Sequence, residues 1–260
     1  MVRVFIVLPD VSMAKVNALL RAAGERGPVD VLVSYSTLTW KPSSYRRLLL
    51  LREHGALGEV MLDSGAYHLM RLGMEVPLED YAARAVEGPW DLVVAPDVPG
   101  DPGLTIERSV RFTQLHPGEF IPVLQGETVE GYLASLRAEW ELGLLDRAPM
   151  RSGARLVGVG GLDGPRRRIA FLSRLVSSVL RESRSMGLDI VLHLFGIGVR
   201  LIRGLRRRGL LESVYSVDSS GWLAEITFRR RTVYAAHTPE EASYKAITAY
   251  LAKAEAASAG

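Results

Sequence analysis

Five short apolar runs in this chain stop on residues that can move protons or bind a polar ligand. Glu59-Val60-Met61-Leu62 leads into Asp63-Ser64-Gly65-Ala66-Tyr67, and Ser213-Val214-Tyr215-Ser216 leads into Val217-Asp218-Ser219-Ser220. Pro96-Asp97, Gln125-Gly126 and Gly160-Gly161 close three further runs in the same way. If the runs are strands of one barrel, all five stops emerge on one rim, with Asp63 and Asp218 facing each other across its mouth. Two convergent carboxylates can divide the labour of a glycosidic carbon, one as nucleophile or charge stabiliser and the other as acid and base. A lone Asp in that position is more often a helix N-cap, and the repetition over five runs is what argues for chemistry. Asp97 and Gln125 offer an acceptor and an amide suited to a planar heterocycle with donors and acceptors on its edge. Gly160-Gly161 permits close approach of a ligand to the backbone, or forms a phosphate cradle. Tyr67 and Phe195 are placed to stack on a base, or to serve as core. His68 and His193 lack metal-ligand spacing with the carboxylates, so neither a metal nor a cofactor is expected.

The elements that must position these residues alternate in period. Strand patterns fall at 3–8, 29–34, 59–62, 91–95, 120–124, 155–159, 189–195 and 213–217, and helical patterns at 13–23, 43–54, 78–86, 104–115, 129–142, 165–186, 199–208 and 240–254. Thr128 before Val129, and Thr238-Pro239-Glu240-Glu241, read as helix starts. Eight strand-then-helix units predict a (β/α)8 TIM barrel, whose strand C-termini carry chemistry. An open doubly wound sheet is the alternative, and it would concentrate ligand contacts at one switch point. The expected organisation is a single catalytic barrel over 1–255, a hairpin at 221–234 and a frayed tail at 256–260.

At 260 residues and 48% hydrophobic, the chain can bury a large core. It has no cysteine, which excludes disulfides, a thiol nucleophile and thiolate zinc sites. With no apolar stretch of spanning length and no charged leader, a soluble cytoplasmic protein without membrane contact is expected. Net charge is only +3, yet residues 151–210 hold 13 Arg against three acidic residues. Such a face suits a polyanion, or is simply a set of solvated helix surfaces.

In this order, the motifs resemble the tRNA-guanine transglycosylase superfamily, including its DNA-acting relatives that insert 7-deazaguanines. Leu62-Asp63-Ser64-Gly65-Ala66-Tyr67 is similar to its Asp-Ser-Gly-Gly-Phe/Tyr segment, with Ala66 in place of the second Gly. Val123-Leu124-Gln125-Gly126 resembles the Val-Gln-Gly strand, Gly160-Gly161-Leu162 the Gly-Gly-Leu loop, and Leu194-Phe195-Gly196-Ile197-Gly198 the Leu-Met-Gly-Val-Gly stretch. Asp218 falls where the family has its nucleophile. The resemblance implies exchange of a guanine in tRNA or DNA for a 7-deazaguanine base through a covalent Asp218 intermediate, with Asp63 as general acid and base. Ser64, Tyr67, Asp97, Gln125, Gly160, Gly161, Leu162 and Phe195 would bind the base. Arg166, Arg167, Arg168, Arg206, Arg207, Arg208, Arg229, Arg230 and Arg231 would hold nucleic-acid phosphate. A homodimer would follow the family's habit. The family's three-Cys, one-His zinc site has no counterpart here, which leaves the choice between tRNA, DNA and other RNA open. Glycoside hydrolysis by the same carboxylates, or a non-catalytic nucleic-acid or deazapurine-binding module, are the alternatives.

Overall fold

Valine, isoleucine and leucine dominate the strand runs without alternating with polar residues, as they must when a parallel strand is covered on both faces. In the computed structural model, which describes residues 2–162, 168–223, 226 and 236–259, these runs form one parallel sheet. Its strands are β1 (Arg3–Leu8), β2 (Val29–Ser34), β3 (Leu57–Asp63), β4 (Leu92–Val93), β5 (Val123–Leu124), β7 (Ala154–Val159), β8 (Ile190–Leu194) and β9 (Val214–Ser219). A short β6 (Met150–Arg151) pairs antiparallel with the start of β7. The hydrogen-bonded order is β4-β3-β2-β1-β9-β8-β7-β5, and a parallel bridge between Val94 and Ile121 joins the two ends. The Ala95 amide donates to the Ile121 carbonyl and the Ile121 amide to the Val93 carbonyl, closing the sheet on itself. The fold is therefore a (β/α)8 barrel.

The helices are α1 (Met13–Arg26), α2 (Tyr35–Trp40), α3 (Ser43–Glu53), α4 (Ala66–Arg71), α5 (Leu78–Glu87), α6 (Pro102–Leu115), α7 (Val129–Glu141), α8 (Ile169–Ser185), α9 (Val199–Arg206) and α10 (Pro239–Ser258). Three begin on hydrogen-bonded side-chain caps: Asp101 accepts from the Leu104 amide, Thr128 from Gly131 and Thr238 from Glu241. α1 and α10 pack side by side, so the last helix closes the ring against the first. Phe5, Met61, Val123, Leu156, Leu192 and Val217 are fully buried with the rest of the strand core. Full burial of one such side chain stabilises by about 1.5–3 kcal/mol.

Sequence periodicity missed α2 and α4. Each is a six-residue turn directly after a strand, too short to show a helical repeat. The hairpin expected at 221–234 lies mostly outside the described residues; within it, Trp222 is fully buried and donates from Nε1 to the Val7 carbonyl at 3.0 Å. No described helix is long and apolar enough to cross a membrane.

Candidate active site

Apart from the short β6, the described strands run in one direction, so residues at their C-terminal ends meet at one mouth of the barrel. A cavity of about 630 Å³ opens there, and its wall includes Asp63, Asp97, Asp218, Gly160, Gly161, Leu162, Phe195 and Tyr67. Three carboxylates from three strands thus share one space.

Asp63 ends β3 beside Ser34 of β2. Gly65 follows in the left-handed region at φ 74°, and its amide turns back to donate to Asp63 Oδ2 at 2.8 Å. A side chain at Gly65 would be strained by that φ and crowded by Ser36 Oγ at 3.0 Å. Burial pushes the Asp63 carboxyl up to about 7, and repulsion from Asp97 and Asp218 adds to it against the opposing Gly65 and Ser64 amides. Asp97 is raised for the same leading reason, loss of water, even though Gln125 and Ser64 donate to it. Gln125 Nε2 reaches Asp97 Oδ2 at 2.6 Å, and Ser64 Oγ lies 3.4 Å from Oδ1.

Gln125 and Ser64 are fully buried behind the wall. The Gln125 amide is spent on the protein, because its Oε1 accepts from the Gly100 amide at 3.2 Å while Nε2 holds Asp97. Gly160 and Gly161 make room for it: a Cβ at either would come within 2.3 Å and 2.5 Å of the Gln125 side chain. Tyr132 Oη donates to the Gly160 carbonyl at 2.7 Å and fixes that loop. Leu162 is buried in the wall, and Tyr67, on α4, is 54% exposed at the rim.

Asp218, on β9, is held by two donors on one oxygen. The Gly196 amide and His193 Nε2 approach Oδ1 at 2.9 and 3.3 Å. Sequence alone gives His193 no role beside Asp218, since its partners Ser216 and Asp218 lie 23 and 25 residues away. The β2–α2 segment also joins the wall through Ser36, Thr37, Trp40 and Lys41. No apolar run or helical repeat announces α2 in the sequence, so these residues carry no signal there. Among the described residues, no group of three or more His, Asp or Glu is arranged to hold a metal ion.

Of the arginines expected to hold phosphate, the described ones, Arg168, Arg206, Arg207 and Arg208, do not line this mouth. Arg206 donates to the carbonyls of Ala256, Ala257 and Ala259, capping the end of α10. Arg207 and Arg208 follow α9 and are exposed, at the end of the barrel where helices return to strand N-termini, opposite the cavity. Arg168 is exposed at the start of α8, while Arg166, Arg167, Arg229, Arg230 and Arg231 lie outside the described residues.

Comparison with known proteins finds no matching family model and no matching curated protein. Solved structures do match over almost the whole chain. A putative fructose-1,6-biphosphate aldolase from Coccidioides immitis aligns with TM-score 0.53 at 13% identity, covering 98% of this chain and 89% of that one. The YdjI aldolase from Escherichia coli K12 aligns with TM-score 0.57 at 12% identity, covering 97% and 90%. The native KDPGal structure aligns with TM-score 0.51 at 13% identity, covering 98% and 95%.

This chain shares their barrel. The expectation of a tRNA-guanine transglycosylase is corrected accordingly, because two of these neighbours are named as aldolases and none as a transglycosylase. With it fall the transferase activity, guanine exchange, and the nucleic-acid and 7-deazaguanine partners. Physically, short motifs at strand ends report a barrel rim carrying carboxylates, which many chemistries share.

Proposed function

We propose that this protein is an enzyme of the lyase class, making or breaking a carbon–carbon bond in a small hydroxylated carbonyl compound by aldol chemistry. The observation that carries the proposal is Asp63, a carboxyl raised to about 7 in the wall of a cavity of about 630 Å³ that it shares with Asp97 and Asp218. A group poised near neutral pH both takes and returns a proton efficiently. The barrel shared with proteins named as aldolases favours the aldol reaction among those such a base can serve.

In the cleavage direction, the Asp63 carboxylate takes the proton of the β-hydroxyl. That oxygen forms a carbonyl as the bond between the α and β carbons breaks, and the electron pair passes into the remaining carbonyl as an enolate. Asp63 then gives the proton to the enolate carbon, so the base is regenerated. Developing negative charge on the enolate oxygen needs a positive partner, and Lys41 and His68 are the wall residues able to supply one. Asp218, anchored through Oδ1, is placed to accept a substrate hydroxyl. Ser36 and Thr37 add neutral donors along the same wall.

The test is twofold. Aldehyde release from a panel of ketoses and β-hydroxy keto acids is followed by coupled reduction, and exchange of α-protons of dihydroxyacetone and pyruvate in D2O by NMR. Release or exchange that falls by on the order of 100-fold in Asp63→Asn is expected. Neither event on any member of the panel, with folded protein, would sink the proposal.

A further inference from the structure

The cluster behind Asp218 has a defined direction. Ser216 and Asp218 stand two residues apart on β9, so both side chains point to the same face of the strand. The strand register sets His193 of β8 beside Ser216. His193 is completely buried, with Phe195 edge-on at 4.3 Å between ring centroids and Phe5 edge-on at 5.9 Å. The ring therefore has little freedom, and its two nitrogens have one partner each: Nδ1 lies 2.8 Å from Ser216 Oγ and Nε2 3.3 Å from Asp218 Oδ1.

A carboxylate can only accept, so the proton belongs on Nε2. In the neutral ring Nδ1 is then an acceptor, and the Ser216 hydroxyl donates to it. The order is the reverse of a hydrolytic serine triad. Ser216 is fully buried and absent from the cavity wall, whereas Asp218 forms part of that wall. A nucleophilic serine is thereby excluded, and the pair serves the carboxylate. With the Gly196 amide at 2.9 Å, His193 occupies Oδ1 and leaves Oδ2 as the oxygen for a ligand.

We infer that Ser216 and His193 are positioning residues that lock Asp218 with Oδ2 toward the cavity, as the acceptor for a substrate hydroxyl. Asp218 fixes the ring tautomer, Ser216 holds the ring through Nδ1, and His193 selects the carboxylate oxygen. The kinetic part of this inference rests on the aldol reading of the site, while the tautomer does not.

Two measurements test it. In long-range ¹H–¹⁵N spectra of the five-histidine protein, His193 should display a protonated Nε2 and an unprotonated Nδ1. Asp218→Ala should lose that fixed pattern, whereas Ser216→Ala, with the carboxylate in place, should keep the proton on Nε2. A proton on Nδ1 in the wild type, or an unchanged pattern in Asp218→Ala, overturns the inference. In turnover, His193→Phe keeps a buried ring and removes the donor. A fall in kcat on the order of 10-fold with little change in KM is expected, partly restored in His193→Gln. Wild-type kcat in a folded His193→Phe overturns it as well. Should the wild type turn over no aldol substrate, the proposed reaction fails by itself, and the tautomer spectra still decide the relay.

Discussion

The two ends of the barrel use the same residue types to opposite effect. At the strand N-termini, Arg3 grips Asp30 through two bonds of 2.6 and 2.9 Å, Tyr215 and Arg151 hold Glu59, and Arg52 forks onto Asp91 with two bonds of 2.8 Å. Burial pulls the Asp91 carboxyl upward, but Arg52 and the Val60 amide outweigh it and the net shift is down. The Arg3 guanidinium is raised, chiefly by its bond to Asp30. At the strand C-termini, Asp63 and Asp97 are held by amides and a hydroxyl, with no arginine among the described residues bonded to either, and both are raised. One end converts charge into attachment between neighbouring strands. The other retains unneutralised carboxyls at a cost in stability, which is the usual condition of a site that must react.

That contrast can be broken at either end. The largest effect is expected from Asp63→Asn, with activity on a responsive substrate reduced on the order of 100-fold and thermal stability equal to or above wild type. Equal losses of stability and activity would erase the distinction between the ends.

Next comes Glu139 of α7, a control buried outside the cavity. It is completely buried, neither carboxyl oxygen has a hydrogen-bond partner, and burial raises it to about 8. Its folded form holds a proton that the unfolded chain releases near the ordinary carboxylate range. The stability it allows is therefore full below about pH 4.5 and declines as pH rises toward 8. Asp63 has the same sign between its ordinary value and about 7. Urea denaturation at pH 5 and pH 8 should show the protein weaker at the higher pH. Glu139→Gln should recover on the order of 3 kcal/mol of that difference. A pH-independent midpoint, identical in the variant, would contradict the buried-carboxyl account.

Asp91→Ala probes the paired end. It leaves the Val60 amide and Arg52 without their acceptor and should cost about 1–3 kcal/mol, with kcat kept. Equilibrium denaturation alongside turnover separates the two. Smallest of all, Arg207→Ser with Arg208→Ser should change stability by less than about 0.5 kcal/mol. Turnover should also be unaffected, since both residues lie opposite the cavity; a clear loss would return the basic cluster to a functional role.

Much of the fold was legible because burial on both faces writes itself into continuous apolar runs. β1 and β2 match their predicted bounds, and β9 extends two residues past its own, to Ser219. The middle strands were overestimated, since β4 and β5 have only two paired residues each, and local periodicity does not reveal how many ladder bonds a neighbour offers. Asp63, Asp97 and Asp218 were legible as strand-end carboxylates. The buried position of Gln125, with its amide committed to Asp97 and Gly100, was not, because its partners lie 25 or more residues away.

Composition and period alone determined a cysteine-free α/β chain with acids at the ends of its strands, because these follow from residue type and spacing within one segment. Only the tertiary structure decided which carboxyls are raised and which lowered, which oxygen of Asp218 is left for a ligand, and that Arg206, Arg207 and Arg208 lie away from the cavity. Those properties depend on distance and on water exclusion between segments remote in the chain, and one segment's order of residues encodes neither.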